Sequence, residues 1–293
     1  MPVSKDTRLM RFIAYTFIAL LSVLCLFPFI LVISGSLSSQ HSIINYGYRL
    51  IPSEFSLAAY DLIFSRPSEI AQAYLVTVAT TVLGTLTALF ITAMTAYVLA
   101  RKDFAWRNRV SFFFYFTTLF SGGLLPWYIL ITQYLRLSDT LLVLILPILL
   151  NVFNLLVMKS FMQAIPDAIT ESGKLDGAND IVIFVRLILP LAKPALASIG
   201  LFIALGYWND WTMSFFFVQD KDLYTLQFYL YKIVAGAQAL AKLVNIPGKD
   251  VTKLPTETLK LAMTVVATGP IILLYPFAQR YFVSGLTIGA VKG

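Results

Sequence analysis

Apolar residues fall along this chain in long blocks rather than at the intervals of an amphipathic helix or strand. Six windows, near 12–35, 72–99, 110–134, 139–163, 194–218 and 259–283, stay apolar on every face for about 20 residues or more. A helix of that length crosses about 30 Å of hydrocarbon and satisfies its own backbone groups there. The pattern therefore predicts an all-α integral membrane protein with six transmembrane helices. The first window follows Lys5, Arg8 and Arg11, as a signal peptide would. Its apolar stretch is too long for a signal core, however, and no small-x-small cleavage site follows at once.

Composition agrees with the pattern. With 58% hydrophobic and 13% charged residues, against about 25% charged in an ordinary soluble domain, a water-soluble fold could not cover its apolar surface. The single cysteine, Cys25, and single histidine, His41, exclude an internal disulfide framework and a Cys/His metal cluster. They also remove the usual catalytic sets of a membrane-embedded enzyme. The net charge of +7 comes without a basic soluble face, so membrane topology rather than nucleic acid accounts for it.

Lysine and arginine then orient the spans. The N-terminal tail carries Lys5, Arg8 and Arg11, and the connection 100–109 carries Arg101, Lys102, Arg107 and Arg109. Both are expected in the cytoplasm, as are the connection 164–190 and the C-terminus. The organisation expected is a cytoplasmic tail 1–11, a six-helix domain 12–283 with an outer loop 219–258, and a cytoplasmic tail 284–293.

The connection 164–190 is the most polar segment between two apolar regions. "IPDAITESGKLDGANDIVIFVRLILP" (165–190) carries Pro166 at a helix start, acids in its first turn and Gly177 as a stop. A short surface helix is expected there. A second follows, with Asp180 as its cap, rising through "IVIFVRLIL" to Pro190.

That segment resembles the signature loop of the permease subunits of ATP-binding-cassette importers. The pattern is Glu-Ala-Ala, three residues, Gly, nine residues, an aliphatic residue, one residue, then Leu-Pro. Here it reads Glu171, Ser172, Gly173, then Gly177, then Leu187, Leu189 and Pro190. "LDGA" (175–178), "GYWNDW" (206–211) and the tail "QRYFVSGLTIGAVKG" (279–293) are similar to the maltose-permease-like sugar branch. "LFSGGLLPWY" resembles permeases for oligosaccharides, including the acidic polysaccharide alginate. The departure is Ser172-Gly173 in place of two alanines, and glycine lowers helix propensity by about 1 kcal/mol.

The resemblance implies the type I importer permease fold in the cytoplasmic membrane. It implies partners: a homologous second permease, two ATPase subunits and an extracytoplasmic solute-binding protein. It implies a sugar substrate, an oligosaccharide or an acidic one such as alginate, moved by alternating access. ATP and magnesium would be bound by the ATPase subunits, and no cofactor or enzymatic activity is expected in this chain, which lacks a GxxxxGK[ST] loop. Coupling residues implied are Glu171, Ser172, Gly173, Lys174, Asp176, Gly177 and Pro190, with Gly289 and Lys292 in the tail.

For "GYWNDW" two readings stand. Trp208, Asn209, Asp210 and Trp211 either face the substrate pathway or form an interfacial belt with ordinary packing hydrogen bonds. Asn151 and Asn154 are expected to bridge helices. Gly122, Gly123 and Pro126 mark a kink or a close helix crossing, the crossing being favoured. An ion-driven secondary transporter is the rival class, but mid-span ionisable candidates are sparse, Asp210 and Lys159, and no repeat is visible.

Overall fold

The structure, a computed structural model, describes residues 5–243 and 255–272. The end of the sixth window and the tail with Gly289 and Lys292 lie outside the described residues. Within them the chain is helical, with one isolated bridge, Ser38 to Phe55. The described residues divide into two compact units. One holds those of Met1–Pro67 and Leu230–Ile271, the other those of Ser68–Tyr229 and Ile272–Gly293.

The first unit contains helix α1 (Lys5–Ser36), the short helices α2 (Gln40–Tyr46) and α3 (Ala58–Ile63), and a final helix over 256–272. Ser39 caps α2 by accepting from the Ser42 amide. Gln40 Oε1 accepts from the amides of Glu257 and Thr258, at 3.0 and 3.3 Å, and so satisfies orphan donors where the final helix begins.

The second unit is built on α4 (Pro67–Ala100), an unbroken helix. Its buried face includes the small residues Ala73, Gly84, Ala88, Ala93 and Ala96, which let neighbouring backbones approach closely. At Gly84 the approach is extreme: the Tyr207 ring lies 2.5–2.7 Å from where a Cβ would stand. The Tyr207 hydroxyl is fixed by donating to the Ile145 carbonyl at 3.0 Å.

The other apolar windows of this unit are bent rather than straight. Helices α5 (Arg107–Leu119) and α6 (Leu124–Tyr134) meet at 113°, the 141–148 turns meet α7 (Val152–Gln163) at 55°, and α9 (Asp180–Leu191) meets α10 (Lys193–Asn209) at 84°. Local chemistry accounts for each break. At the first, Gly123 holds φ +87°, a conformation that glycine adopts freely. Among the described residues a Cβ on Gly122 would meet nothing within 4 Å, so there the glycine pair makes a kink and not the helix crossing the sequence favoured. At the second, the Asn151 side chain accepts from the Asn154 amide and caps α7, and among the described residues it bridges no helices. At the third, Pro190 and Pro194 flank the bend and contribute no N–H to the helical ladder. The fifth window also stops early, since α10 ends at Asn209 and a separate helix, α11 (Thr212–Phe217), follows. A further helix, α12, spans Leu226–Leu243.

Candidate functional site

The polar segment folds as α8 (Asp167–Leu175), a sharp turn, and α9. Pro166 precedes α8 with extended ψ of 134°, as expected of a helix start. Its end is a Schellman motif. The Ala178 amide donates to the Gly173 carbonyl and the Gly177 amide to the Lys174 carbonyl, both at 3.0 Å. Gly177 sits at the left-handed position of that motif with φ +78°, where an L side chain would be strained. Asp176 ends α8 with its amide on the Ser172 carbonyl. The cap of α9 differs from the sequence expectation. It is Asn179, whose side chain accepts from the Val182 amide at 2.8 Å, and Asp180 is the first helical residue.

The departure at Ser172-Gly173 also acquires a reason. Gly173 is buried, and a Cβ there would stand 3.0 Å from Leu187 Cδ1 and 3.1 Å from Ile183 Cγ1. Glycine lets α8 lie directly on α9. Helix α9 in turn is seated in the core of the unit through Ile183, Phe184 and Ile188. The Phe184 ring stacks on Tyr97 of α4, with centroids 5.3 Å apart. The middle of α9, Ile183–Ile188, widens into a π-turn, a local irregularity often found at functional positions.

Charges finish the attachment. Arg101, Lys102 and Asp103 follow α4 directly. Arg101 binds Asp103 through Nε at 2.8 Å and reaches Asp180 with its other arm at 2.6 Å. Lys174 donates to Asp103 at 3.0 Å, and Lys102 pairs with Asp167. One tripeptide thus holds both ends of α8 and the first turn of α9. The hydrogen bond from Arg101, with Lys174 adding to it, holds the Asp103 carboxyl well below the usual carboxylate range. The Arg101 guanidinium is raised in return, first by its bond to Asp103. Counting lysine and arginine for topology passed over this clasp. The visible signal was opposite charges at 101–103 and at 167, 174 and 180.

What faces outward from α8 is unlike what faces α4. Glu171 is exposed and makes no hydrogen bond or ion pair among the described residues. Leu175 at the tip is 88% exposed. Ser172 is exposed beside them, its hydroxyl on the Ile169 carbonyl. The structure therefore presents a short, capped, rigidly seated helix with an acidic and apolar tip.

The "GYWNDW" residues separate. Trp208 is buried at 7% exposure, whereas Asn209 and Trp211 are exposed. Asp210 caps α11 by accepting from the Met213 amide at 3.1 Å, and its carbonyl accepts from the Thr225 hydroxyl. Asn209 donates to the Leu205 carbonyl at 2.9 Å. Four neighbours in sequence thus become one packing residue, one cap and two exposed groups, all at a helix break.

Comparison with known proteins decides the family. Over 286 residues the chain is 39% identical to the polygalacturonan/rhamnogalacturonan transport system permease protein YtcP of Bacillus subtilis, covering 98% of this chain and 99% of that one. The chain belongs to the permease subunits of ATP-binding-cassette sugar importers. Its relatives include the arabinooligosaccharides transport system permease protein AraQ of the same organism, 27% identical with 94% of each chain covered. Among solved structures, the permease matches a chain of a bacterial ABC transporter involved in the import of the acidic polysaccharide alginate. The TM-score is 0.75 at 27% identity, over 96% of the permease and 99% of that chain. No family model matches. The kinship favours a membrane-embedded permease over an ion-driven secondary transporter.

Proposed function

We propose that this permease carries uronate-rich oligosaccharides inward across the cytoplasmic membrane. In this reading it crosses six times, with both termini in the cytoplasm, as the domain 12–283 between tails 1–11 and 284–293. It pairs with a homologous second permease, two ATPase subunits that bind ATP and magnesium, and an extracytoplasmic binding protein. The observation that carries the substrate class is the 39% identity, over nearly the whole length, to a permease for polygalacturonan and rhamnogalacturonan. The likeness to an alginate importer chain adds a second uronate polymer.

The mechanism follows from the seating of α8. The Glu171–Leu175 tip docks in a cleft of one ATPase subunit. When the two ATPase subunits close on ATP, α8 is carried with them. The clasp at Arg101 and Asp103 and the packing of Gly173 on α9 pass that displacement to α4 and α10 as a rigid body. Glu171 is the polar anchor and Gly177 the turn, while Gly289 and Lys292 of the tail add contact with the ATPase pair. Trp211 and Asn209 line the sugar path at the break in the fifth span, an aromatic face and an amide suiting a sugar ring and its hydroxyls.

The test is to purify the tagged permease from its native membrane, identify its companions by mass spectrometry, and measure ATPase stimulation by loaded binding protein. Oligogalacturonides should stimulate and neutral maltooligosaccharides should not. Stimulation by neutral sugars alone would overturn the substrate class.

A further inference from the structure

Helix α7 carries a single charged residue, Lys159, in an otherwise uncharged stretch. The side chain is half-buried, and its ammonium donates to Ser111 Oγ of α5 at 2.8 Å. Ser111 donates in turn to the Arg107 carbonyl at 2.6 Å, one turn earlier on the same helix. Lys159 is therefore held against the first turn of α5, the turn that carries Arg107. Arg107 is half-buried as well, and among the described residues its Nη1 reaches a backbone oxygen, that of Arg101 at 3.4 Å.

Two like charges, half removed from water, should not be neighbours without an anion between them. The two helices that carry them supply none. Helix α5 carries Arg107 and Arg109 and no acid, and α7 carries no acid. Asp103, in the preceding connection, is engaged by Arg101 and Lys174. Among the described residues neither Lys159 nor Arg107 has an acidic partner. The surroundings indicate where the missing anion comes from. Phe112, Phe113 and Phe116 are exposed on α5, and Phe153 is exposed on α7. Trp106, also exposed, lies beneath the Arg109 guanidinium at 4.9 Å. Tryptophan and arginine beside an apolar belt mark headgroup depth.

We infer that Arg107 and Lys159 form a binding site for the phosphate of an anionic phospholipid in the cytoplasmic leaflet. The site rests on the proposed topology, which puts residues 100–109 on the cytoplasmic side. Two cations on neighbouring helices at that depth suit a headgroup phosphate, and each cation near an anionic membrane surface contributes about 1 kcal/mol, or about a fivefold change in retention. The lipid would fasten α5 to α7 next to the clasp, since Arg107 already reaches the Arg101 carbonyl.

The experiment uses the whole importer in detergent and reads lipid retention by native mass spectrometry after exchange into mixed phosphatidylglycerol and phosphatidylcholine. The parent should keep phosphatidylglycerol selectively. Lys159→Gln and Arg107→Gln should each lower its retention about fivefold. Lys159→Arg should keep it, and Arg11→Gln, which removes an exposed cation elsewhere, should not lower it. Unchanged retention in both glutamine variants would overturn the site. So would displacement of the lipid by millimolar inorganic phosphate, which would make it a small-anion site, or a cross-link from Lys159 to an acidic residue of another subunit. None of these readings depends on the sugar, so failure here is distinct from failure of the proposed substrate.

Discussion

Replacing Asp103 by alanine takes one acceptor from two cations at once. Arg101, with its side chain only 18% exposed, loses a two-pronged hydrogen bond and keeps Asp180 and the face of the Tyr97 ring. Hydrogen bonds to a charged group contribute about 1.5–3 kcal/mol where they are part-buried. The pair of Lys174 with Asp103 is half-exposed and adds about 0.5 kcal/mol. The seating of α8 and α9 on the end of α4 should thus weaken by roughly 2–3 kcal/mol, or about 30- to 150-fold in the equilibrium between seated and loose. Packing of Ile183, Phe184 and Ile188 is untouched, so the fold should survive. On the proposed mechanism a loose α8 still docks on its ATPase but transmits less of the movement. The assay is ATP hydrolysed per sugar imported, measured in proteoliposomes. The variant should import several-fold less sugar while hydrolysis persists, so the ratio rises. An unchanged ratio with unchanged uptake would refute the clasp as part of the transmission. The sign with pH follows from the lowered carboxyl of Asp103. A group whose folded pKa is depressed contributes fully above its unfolded value, about 4, and loses that contribution as pH falls through the folded one. The clasp should therefore leave coupling flat between about pH 5 and 8.

Other substitutions probe packing and the path. Gly84→Ala drives a methyl into the Tyr207 ring, which its hydroxyl pins, and should cost about 1–3 kcal/mol, read as a lower melting temperature; no change would mean the ring moves freely. Gly173→Ala gains about 1 kcal/mol of helix propensity but crowds Ile183, which is fully buried. Overpacking should win by about 1 kcal/mol, and a stabilised variant would show that α9 yields. Trp211→Ala should raise the half-saturating concentration of loaded binding protein or sugar with little loss of stability. Asp210→Ala should lose about 1 kcal/mol of cap stability instead. Equal effects of the two on affinity would argue against separating their roles.

The sequence showed the loop well because local chemistry decides it. Pro166 and Gly177 bound a helix through backbone geometry alone, and the structure adds only the register of the Schellman hydrogen bonds. The kink at Gly122 and Gly123 was less legible, since small residues serve a bend and a close crossing equally, and only the empty space around Gly122 separates the two. The splitting of "GYWNDW" was not legible at all. Whether Trp208 is buried depends on what packs around α10, and Asp210 becomes a cap only because the helix stops at Asn209. The clasp lay hidden for another reason: Asp103 is 71 residues from Lys174, and sequence separation conceals a charge pair whose members are each unremarkable.

The most direct test of the account is sugar accumulation in proteoliposomes containing the permease with its companion subunits and loaded binding protein. Uptake of an oligogalacturonide should require ATP on the ATPase side and continue when proton and sodium gradients are collapsed. Uptake that runs without ATP and stops with the gradients would contradict it.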